Sequence, residues 1–232
     1  SWIAPGDQSR AQALNAASST TARLLLTGID VEAGADARSV VVIGDSITDG
    51  ATASLDRDQR WTDHLAARLA ARGIAVVNAG ISGGRLLRDG MGESALVRFR
   101  RDALDQPAVS SVIVLMGIND ISWPGTAFAR NQARPTLAEL QAGYRALAEQ
   151  ARHRGVRIIG ATLPPFADAL PGTPLDDYYH PDKDALRQRI NAWLRTDSPF
   201  DAVIDLDAAL RDPADPSRMA AAYDSGDHLH PG

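Results

Sequence analysis

The stretch "VVIGDSITDG", residues 41–50, joins an apolar β-branched run to a small polar turn. The run is typical of a buried strand, and it ends at Gly44, directly before Asp45 and Ser46. A serine on a tight turn between a strand and a helix can expose its hydroxyl at the end of a sheet. The stretch therefore predicts a buried strand followed by a turn that presents Ser46.

The alternation of apolar runs and helical patterns continues along the chain. Apolar side chains recur at helical spacing from Trp61, from Leu137 and from Leu186, and Asp182 is the expected cap of the third helix. This order favours a three-layer α/β/α fold with an open, doubly wound, mostly parallel, flavodoxin-like sheet of about five strands. The predicted strands are residues 39–44, 74–80, 111–117, 156–162 and 201–206.

Two segments fall outside this alternation. Residues 1–38 are rich in Ala, Ser and Thr and contain one predicted strand, at 22–31. We interpret residues 1–38 as an N-terminal extension and residues 39–232 as the main domain. A loop rich in Pro and Gly at 163–181 follows the fourth predicted strand, and loops of this length in compact domains are often functional.

Composition excludes several classes of function. A net charge of -5 argues against a nucleic-acid partner, which needs a basic face. The absence of cysteine excludes a thiolate nucleophile and a zinc–thiolate site, and no apolar run is long enough for a membrane span. The compartment stays open, secreted or periplasmic as well as cytoplasmic, because exported proteins can also lack cysteine.

Polar turns that contain glycine follow the first three predicted strands, with the sequences "GDSITDG", "NAGISGGR" and "GINDISW". Ligands of open α/β sheets bind beyond the carboxyl ends of the strands, where such turns meet. Glycine lets a backbone N–H approach a ligand closely, and Asn119 offers a side-chain N–H donor. The turns therefore predict an oxyanion-binding site beside Ser46. Gly83 and Gly84, which share the second turn with Gly80, can each bring such a backbone N–H close to a ligand.

The segment "YDSGDHLHPG" near the end of the sequence offers a base for Ser46. Asp227 precedes His230 by three residues, so its carboxylate can reach the imidazole and fix its tautomer. An alternative is that Asp227, His228 and His230 supply part of a metal site. We favour the base, because the metal site leaves Ser46 and Asn119 without a role in hydrolysis.

Together these four blocks resemble the GDSL, or SGNH, hydrolase family of serine esterases and lipases. The resemblance implies that Ser46 is the nucleophile and that Gly83 and Asn119 hold the oxyanion. It also implies that Asp227 and His230 complete a catalytic triad, with no cofactor and no metal.

The resemblance extends from residue 39 to the end of the sequence. The family ordinarily continues past the His-Pro turn into a final helix, which we expect this domain to lack. The motif differs from the G-x-S-x-G elbow, because Thr48 stands where that pattern needs glycine, so the larger α/β-hydrolase fold is disfavoured.

The sequence gives less information about the substrate. The family includes carbohydrate deacetylases, lysophospholipases, thioesterases and arylesterases. Arg85 and Trp123 are the predicted substrate-binding residues, and Tyr178 lies on a later loop. The charge of Arg85 and the aromatic rings of Trp123 and Tyr178 suit a small-molecule or carbohydrate ester. We expect a short-chain esterase, with acetylated carbohydrate as the natural substrate. Alternatives are a lysophospholipase or thioesterase, a metal-dependent hydrolase, and a non-catalytic binding module.

Overall fold

The chain divides into two compact units, Ser1–Ala35 and Asp36–Gly232. The computed structural model describes residues 2–8, 10–15, 17–20 and 27–232. In the first unit, β1 (Trp2–Ile3) pairs with β2 (Ser18–Ser19) in antiparallel fashion. Of the strand predicted at 22–31, residues 22–26 lie outside the described residues and 27–31 form no strand.

The second unit is built on one parallel sheet of five strands. These are β3 (Arg38–Gly44), β4 (Ile74–Gly80), β5 (Val109–Leu115), β6 (Arg157–Ala161) and β7 (Ala202–Ile204). Their order is β4-β3-β5-β6-β7, so the chain winds first to one side of β3 and then to the other. The predicted doubly wound α/β fold is confirmed.

The observed strand bounds differ slightly from the predicted ones. β5 begins and ends two residues before the predicted 111–117. Its end is earlier because Gly117 already leaves the strand, with a φ of 123°. β7 covers only three of the six predicted residues, because Leu206 begins a helix behind the cap residue Asp205.

Helices connect the strands. They are α1 (Ser46–Asp49), α2 (Trp61–Leu69), α3 (Ala95–Phe99), α4 (Ile118–Ser122), α5 (Leu137–His153), α6 (Pro181–Thr196) and α7 (Leu206–Leu210). A 3₁₀ turn at Ala70–Arg72 extends α2, and a π-helical turn at Arg100–Leu104 extends α3. Among the described residues, no helix has the length and apolar content needed to cross a membrane.

The cap predicted for α6 is wrong. His180, not Asp182, is the N-cap, and its side chain accepts a hydrogen bond from the backbone N–H of Asp182. Pro181 occupies the first helical position, where its missing N–H has no intrahelical partner to lose. Asp182 lies in the first turn instead.

Alternate residues of the central strands form the main hydrophobic core. On β3 and β5, every second side chain contributes to a cluster with α3, α5 and α6. Its fully buried members include Val41, Ile43, Phe99, Val112, Val114, Leu140, Leu147 and Ile190. The helix α2 packs against β4 at the edge of the sheet.

Three strands end at the same level. Gly44 is the register partner of both Gly80 and Leu115, so β3, β4 and β5 deliver their following turns to one place. A Cβ at Gly44 would overlap the Thr48 side chain, and one at Gly80 would overlap the backbone of Asp49. The two glycines therefore let α1 pack directly on the strand ends, and this fixes the position of Ser46.

Candidate active site

The helix α1 holds Ser46 at its first position. Asp45 is the N-cap, and its side chain accepts a hydrogen bond from the Ile47 N–H at 3.0 Å. Gly50 ends the helix in the left-handed conformation, with a φ of 96°. A capped single turn behind β3 therefore fixes the main chain at Ser46.

The carboxyl of Asp45 is almost completely buried. Burial raises its pKa to about 7, against the lowering effect of the Ile47 hydrogen bond, and the nearby charge of Asp120 raises it further. Within the described part of the chain, Asp45 Oδ2 has no hydrogen-bond partner. These features favour the neutral acid beneath Ser46.

The loop that carries Asp227 and His230 lies near the end of the sequence, and it contacts Ser46. His230 Nε2 lies 2.8 Å from Ser46 Oγ, and His230 Nδ1 lies 2.6 Å from Asp227 Oδ2. Asp227 Oδ1 accepts the backbone N–H groups of Leu229 and His230 at 2.9 and 2.8 Å. Burial acts to raise the pKa of Asp227, but these hydrogen bonds outweigh it and hold the pKa below its ordinary value.

A second histidine–aspartate pair lies in the same loop. His228 Nδ1 contacts Asp224 Oδ2 at 2.5 Å, and the His228 N–H donates to Asp224 Oδ1 at 3.0 Å. The two histidines therefore pair with different carboxylates. Among the described residues, no three His, Asp or Glu side chains are grouped so that they could hold a metal ion.

The turn after β4 contacts the helix α4. The Ile81 N–H donates to Gly44 O at 3.1 Å, which ties this turn to the end of β3. Asn119, on α4, donates from Nδ2 to Gly84 O at 3.0 Å. The predicted oxyanion residues thus lie on two segments joined by a direct hydrogen bond.

Asp120, the residue after Asn119, strengthens the same junction. Its carboxylate accepts the N–H groups of Leu86 and Leu87 at 2.6 and 2.9 Å. Burial raises its pKa to about 6, although these two hydrogen bonds act to lower it. Asp120 therefore holds the turn after β4 against α4.

Gly83 occupies a position that excludes a side chain. Its φ is 72°, and a Cβ there would lie 2.5 Å from Met91 Sδ and 2.8 Å from the Trp123 ring. Of its neighbours in the turn, Gly84 uses its carbonyl for Asn119 and Gly80 ends β4. The role of Gly83 as backbone donor stays a prediction.

Residues 42–232 match the model of the GDSL-like Lipase/Acylhydrolase family. The chain belongs to this family. No curated protein matches the chain.

Several solved structures share the fold of this family member. A GDSL-like lipase from Bacteroides thetaiotaomicron is 19% identical, with a TM-score of 0.57 over 84% of this chain and 80% of the other. TesA is 24% identical, with a TM-score of 0.56 over 84% and 89% of the two chains. The psychrotrophic esterase EstA from Pseudoalteromonas sp. is 17% identical, with a TM-score of 0.55 over 84% and 88%.

In this GDSL-like acylhydrolase, both predicted substrate-binding residues lie below the surface beside Gly83. Arg85 is 7% exposed and Trp123 is 5% exposed, and the guanidinium lies 5.1 Å from the centre of the indole ring. The exposed apolar side chains nearby are Met91, against Gly83, and Phe128, whose ring centre is 5.1 Å from that of Trp123. Substrate binding by Arg85 and Trp123 stays a prediction.

Arg98 is a structural residue of the family member that sequence analysis missed. Its guanidinium is buried and donates to Gly44 O at 3.1 Å and to Ala79 O at 2.7 Å, so it joins the ends of β3 and β4. The available signal was an arginine in the otherwise apolar run "ALVRF", where a charge needs a specific partner.

Proposed function

We propose that this chain is a serine-dependent hydrolase of carboxylic esters with short acyl groups. The observation that carries the proposal is the continuous hydrogen-bond chain from Ser46 Oγ through His230 to Asp227, with distances of 2.8 and 2.6 Å. A serine hydroxyl is a weak nucleophile, and an imidazole oriented by a carboxylate is the usual means of activating it.

In the first half of the reaction, Ser46 Oγ attacks the carbonyl carbon of the ester while its proton passes to His230 Nε2. Asp227 stabilises the resulting imidazolium, which suits a carboxylate whose pKa is held low. The N–H groups of Ser46 and Gly83 and the Asn119 amide stabilise the oxyanion. The intermediate then expels the alcohol, which takes the proton from His230, and the acyl group stays on Ser46.

In the second half, His230 accepts a proton from a water molecule that attacks the acyl carbon. The second oxyanion forms in the same place and is held by the same donors. Its collapse releases the carboxylic acid and returns the proton to Ser46 Oγ. The cycle needs no cofactor, and each proton moves through His230.

The crowded surroundings of Gly83 support a small acyl group. Met91 and Trp123 fill the space where a side chain at Gly83 would lie, and we propose that they also limit the size of the acyl group. Arg88 and Asp89 are exposed polar residues on the loop that carries Met91. We propose an acetylated carbohydrate as the natural substrate on this basis.

The class of enzyme is tested by a fluorophosphonate and, separately, by a strong chelator. Attack of Ser46 on phosphorus with loss of fluoride gives a covalent adduct, visible by intact mass and located by peptide mapping. The esterase EstA, a structural neighbour, was obtained inhibited by monoethylphosphonate, which supports the choice of reagent. We expect the adduct on Ser46 and ester hydrolysis that is indifferent to the chelator.

Other outcomes of this experiment contradict the proposal. Chelator-sensitive hydrolysis without an adduct indicates a metal-dependent hydrolase, and neither activity nor adduct indicates a binding module.

The substrate is tested by nitrophenyl esters of increasing acyl length, beside acetylated sugars. We expect acetate and butyrate to give a higher kcat/KM than decanoate. A preference for decanoate or for a lysophospholipid indicates the lysophospholipase or thioesterase alternative and leaves the catalytic assignment intact.

A further inference from the structure

The side-chain amide of Asn119 is held at both of its polar atoms. Nδ2 donates to Gly84 O at 3.0 Å, and Oδ1 accepts the Tyr178 hydroxyl at 2.8 Å. Asn119 is 3% exposed and Tyr178 is 1% exposed, so water does not compete for these bonds. Tyr178 therefore lies buried directly behind the predicted oxyanion donor.

The orientation of this amide decides what it offers to a substrate. The Nδ2 group has two hydrogens, and Gly84 O accepts one of them. In the opposite orientation, Oδ1 would face Gly84 O, and a carbonyl oxygen would replace the N–H donor of the oxyanion site. A hydroxyl that donates to Oδ1 favours the productive orientation.

Tyr178 is itself fixed by a buried lysine. Lys183 is 4% exposed, and its Nζ donates to Asp177 O at 2.7 Å, to Tyr178 O at 3.2 Å and to Ser122 O at 2.6 Å. Ser122 is the last residue of α4, the helix that carries Asn119. The three ammonium hydrogens therefore join the loop of Tyr178 to the helix of Asn119.

The protonation state of Tyr178 suits a permanent donor. Burial raises the pKa of its phenol well above the ordinary value. The hydroxyl hydrogen therefore stays in place throughout the pH range in which a histidine base works.

We propose that Tyr178 is a positioning residue that orients the Asn119 amide as an oxyanion donor, and that Lys183 holds Tyr178 in place for this task. The inference rests on the proposed function, because it assumes that Asn119 stabilises the oxyanion. Tyr178 acts through Asn119 and does not touch the reacting atoms.

The test is Tyr178→Phe, which removes one hydroxyl and leaves the ring that packs edge-on against Phe166. An oxyanion bond acts in the transition state, so kcat should fall on the order of 10-fold with little change in KM. The matched control is Tyr179→Phe, because the Tyr179 ring also packs edge-on against Phe166. We expect this control to keep its kcat. Lys183→Met should also lower kcat, as Tyr178→Phe does.

A double-mutant cycle separates positioning from a general effect on stability. In the Asn119→Ala background the amide is gone, so Tyr178→Phe should cause no further loss of kcat. The rate at which the fluorophosphonate labels Ser46 should follow the same pattern. Thermal unfolding of each variant reports any loss of fold.

The inference is overturned if Tyr178→Phe keeps the kcat of the unmodified protein, or if it lowers kcat equally with and without Asn119. It is also overturned if KM rises while kcat is unchanged. In all three cases the proposed function still stands, provided that Ser46→Ala is inactive and cannot be labelled. An active Ser46→Ala protein contradicts the proposed function itself.

Discussion

On the acid–base side of the site, Asp227 and His230 lie three residues apart on one loop, whereas the oxyanion side joins distant segments. Asn119 is held by Gly84, 35 residues before it, and by Tyr178, 59 residues after it. The first arrangement is a local turn that organises its own side chains. The second exists only because the folded sheet and its loops bring three segments together.

This difference teaches where the site is vulnerable. Asp227 accepts two backbone N–H groups of its own loop as well as the imidazole, so residues close in sequence set the orientation of its carboxylate. The Asn119 amide depends on Tyr178, and through it on Lys183. We therefore expect substitutions on the acid–base side to act at the site of change, and those on the oxyanion side to couple over long sequence distances.

The largest effect is expected from His230→Asn. Without the imidazole, Ser46 has no base, and kcat should fall on the order of 10⁴- to 10⁶-fold in nitrophenyl acetate hydrolysis. The matched control is His228→Asn, the same change in the other histidine–aspartate pair of the loop. Asparagine tolerates the left-handed backbone at His228, with its φ of 61°, so this variant should keep its activity. An equal loss in both variants would mean that the loop as a whole, not His230, is responsible.

The next effect is expected from Asp227→Asn. An amide cannot stabilise the imidazolium and favours the wrong tautomer of His230, so kcat should fall about 10⁴-fold. Asp224→Asn is the control, because Asp224 holds His228 by the same kind of contact. Steady-state kinetics of both variants measure the difference. Equal rates for the two variants would contradict the assignment of Asp227 as the partner of the base.

A smaller effect is expected from Asn119→Ala on the oxyanion side. Loss of one donor should lower kcat on the order of 10²- to 10³-fold while KM changes little. Asn191→Ala is the control: this buried amide binds Leu163 through both of its polar atoms and lies outside the site. We expect that control to lose thermal stability but not kcat. A rise in KM with kcat unchanged in Asn119→Ala would instead place the amide in ground-state binding.

The last prediction concerns stability and not catalytic rate, and it involves Asp45, beneath Ser46 and near Asp120. Because burial raises the pKa of Asp45 to about 7, the folded state holds a proton that the unfolded state, with a pKa of about 3.9, has lost. The contribution of Asp45 is therefore fully present below about pH 4 and falls by up to ~1.4 kcal/mol per pH unit toward pH 7.

Asp45→Asn removes this titration and keeps an oxygen for the Ile47 N–H. Urea unfolding between acid and neutral pH should show the variant gaining stability relative to the unmodified protein as the pH rises. Asp120, whose raised pKa of about 6 acts in the same direction, remains in both proteins. Parallel pH curves for the two proteins would show that Asp45 is not neutral in the folded state.

Much of the fold follows from local patterns. The strand at 74–80 has the bounds that the sequence predicts, because turn residues limit the apolar run at both ends. The α6 cap was wrong because Asp and His can both cap a helix, and the entry angle of the chain after the long loop decides between them.

The sequence by itself determined the doubly wound sheet and the residues of the candidate site, since apolar periodicity and short motifs such as "GDSITDG" and "DHLH" are local properties. Only the tertiary structure decided what holds those residues in place. The Tyr178 hydroxyl, the Lys183 ammonium and the Arg98 guanidinium lie far along the chain from the atoms that they bind. The physical reason is that a buried polar group takes its partner from whatever segment the packing brings near, and no local pattern encodes that choice.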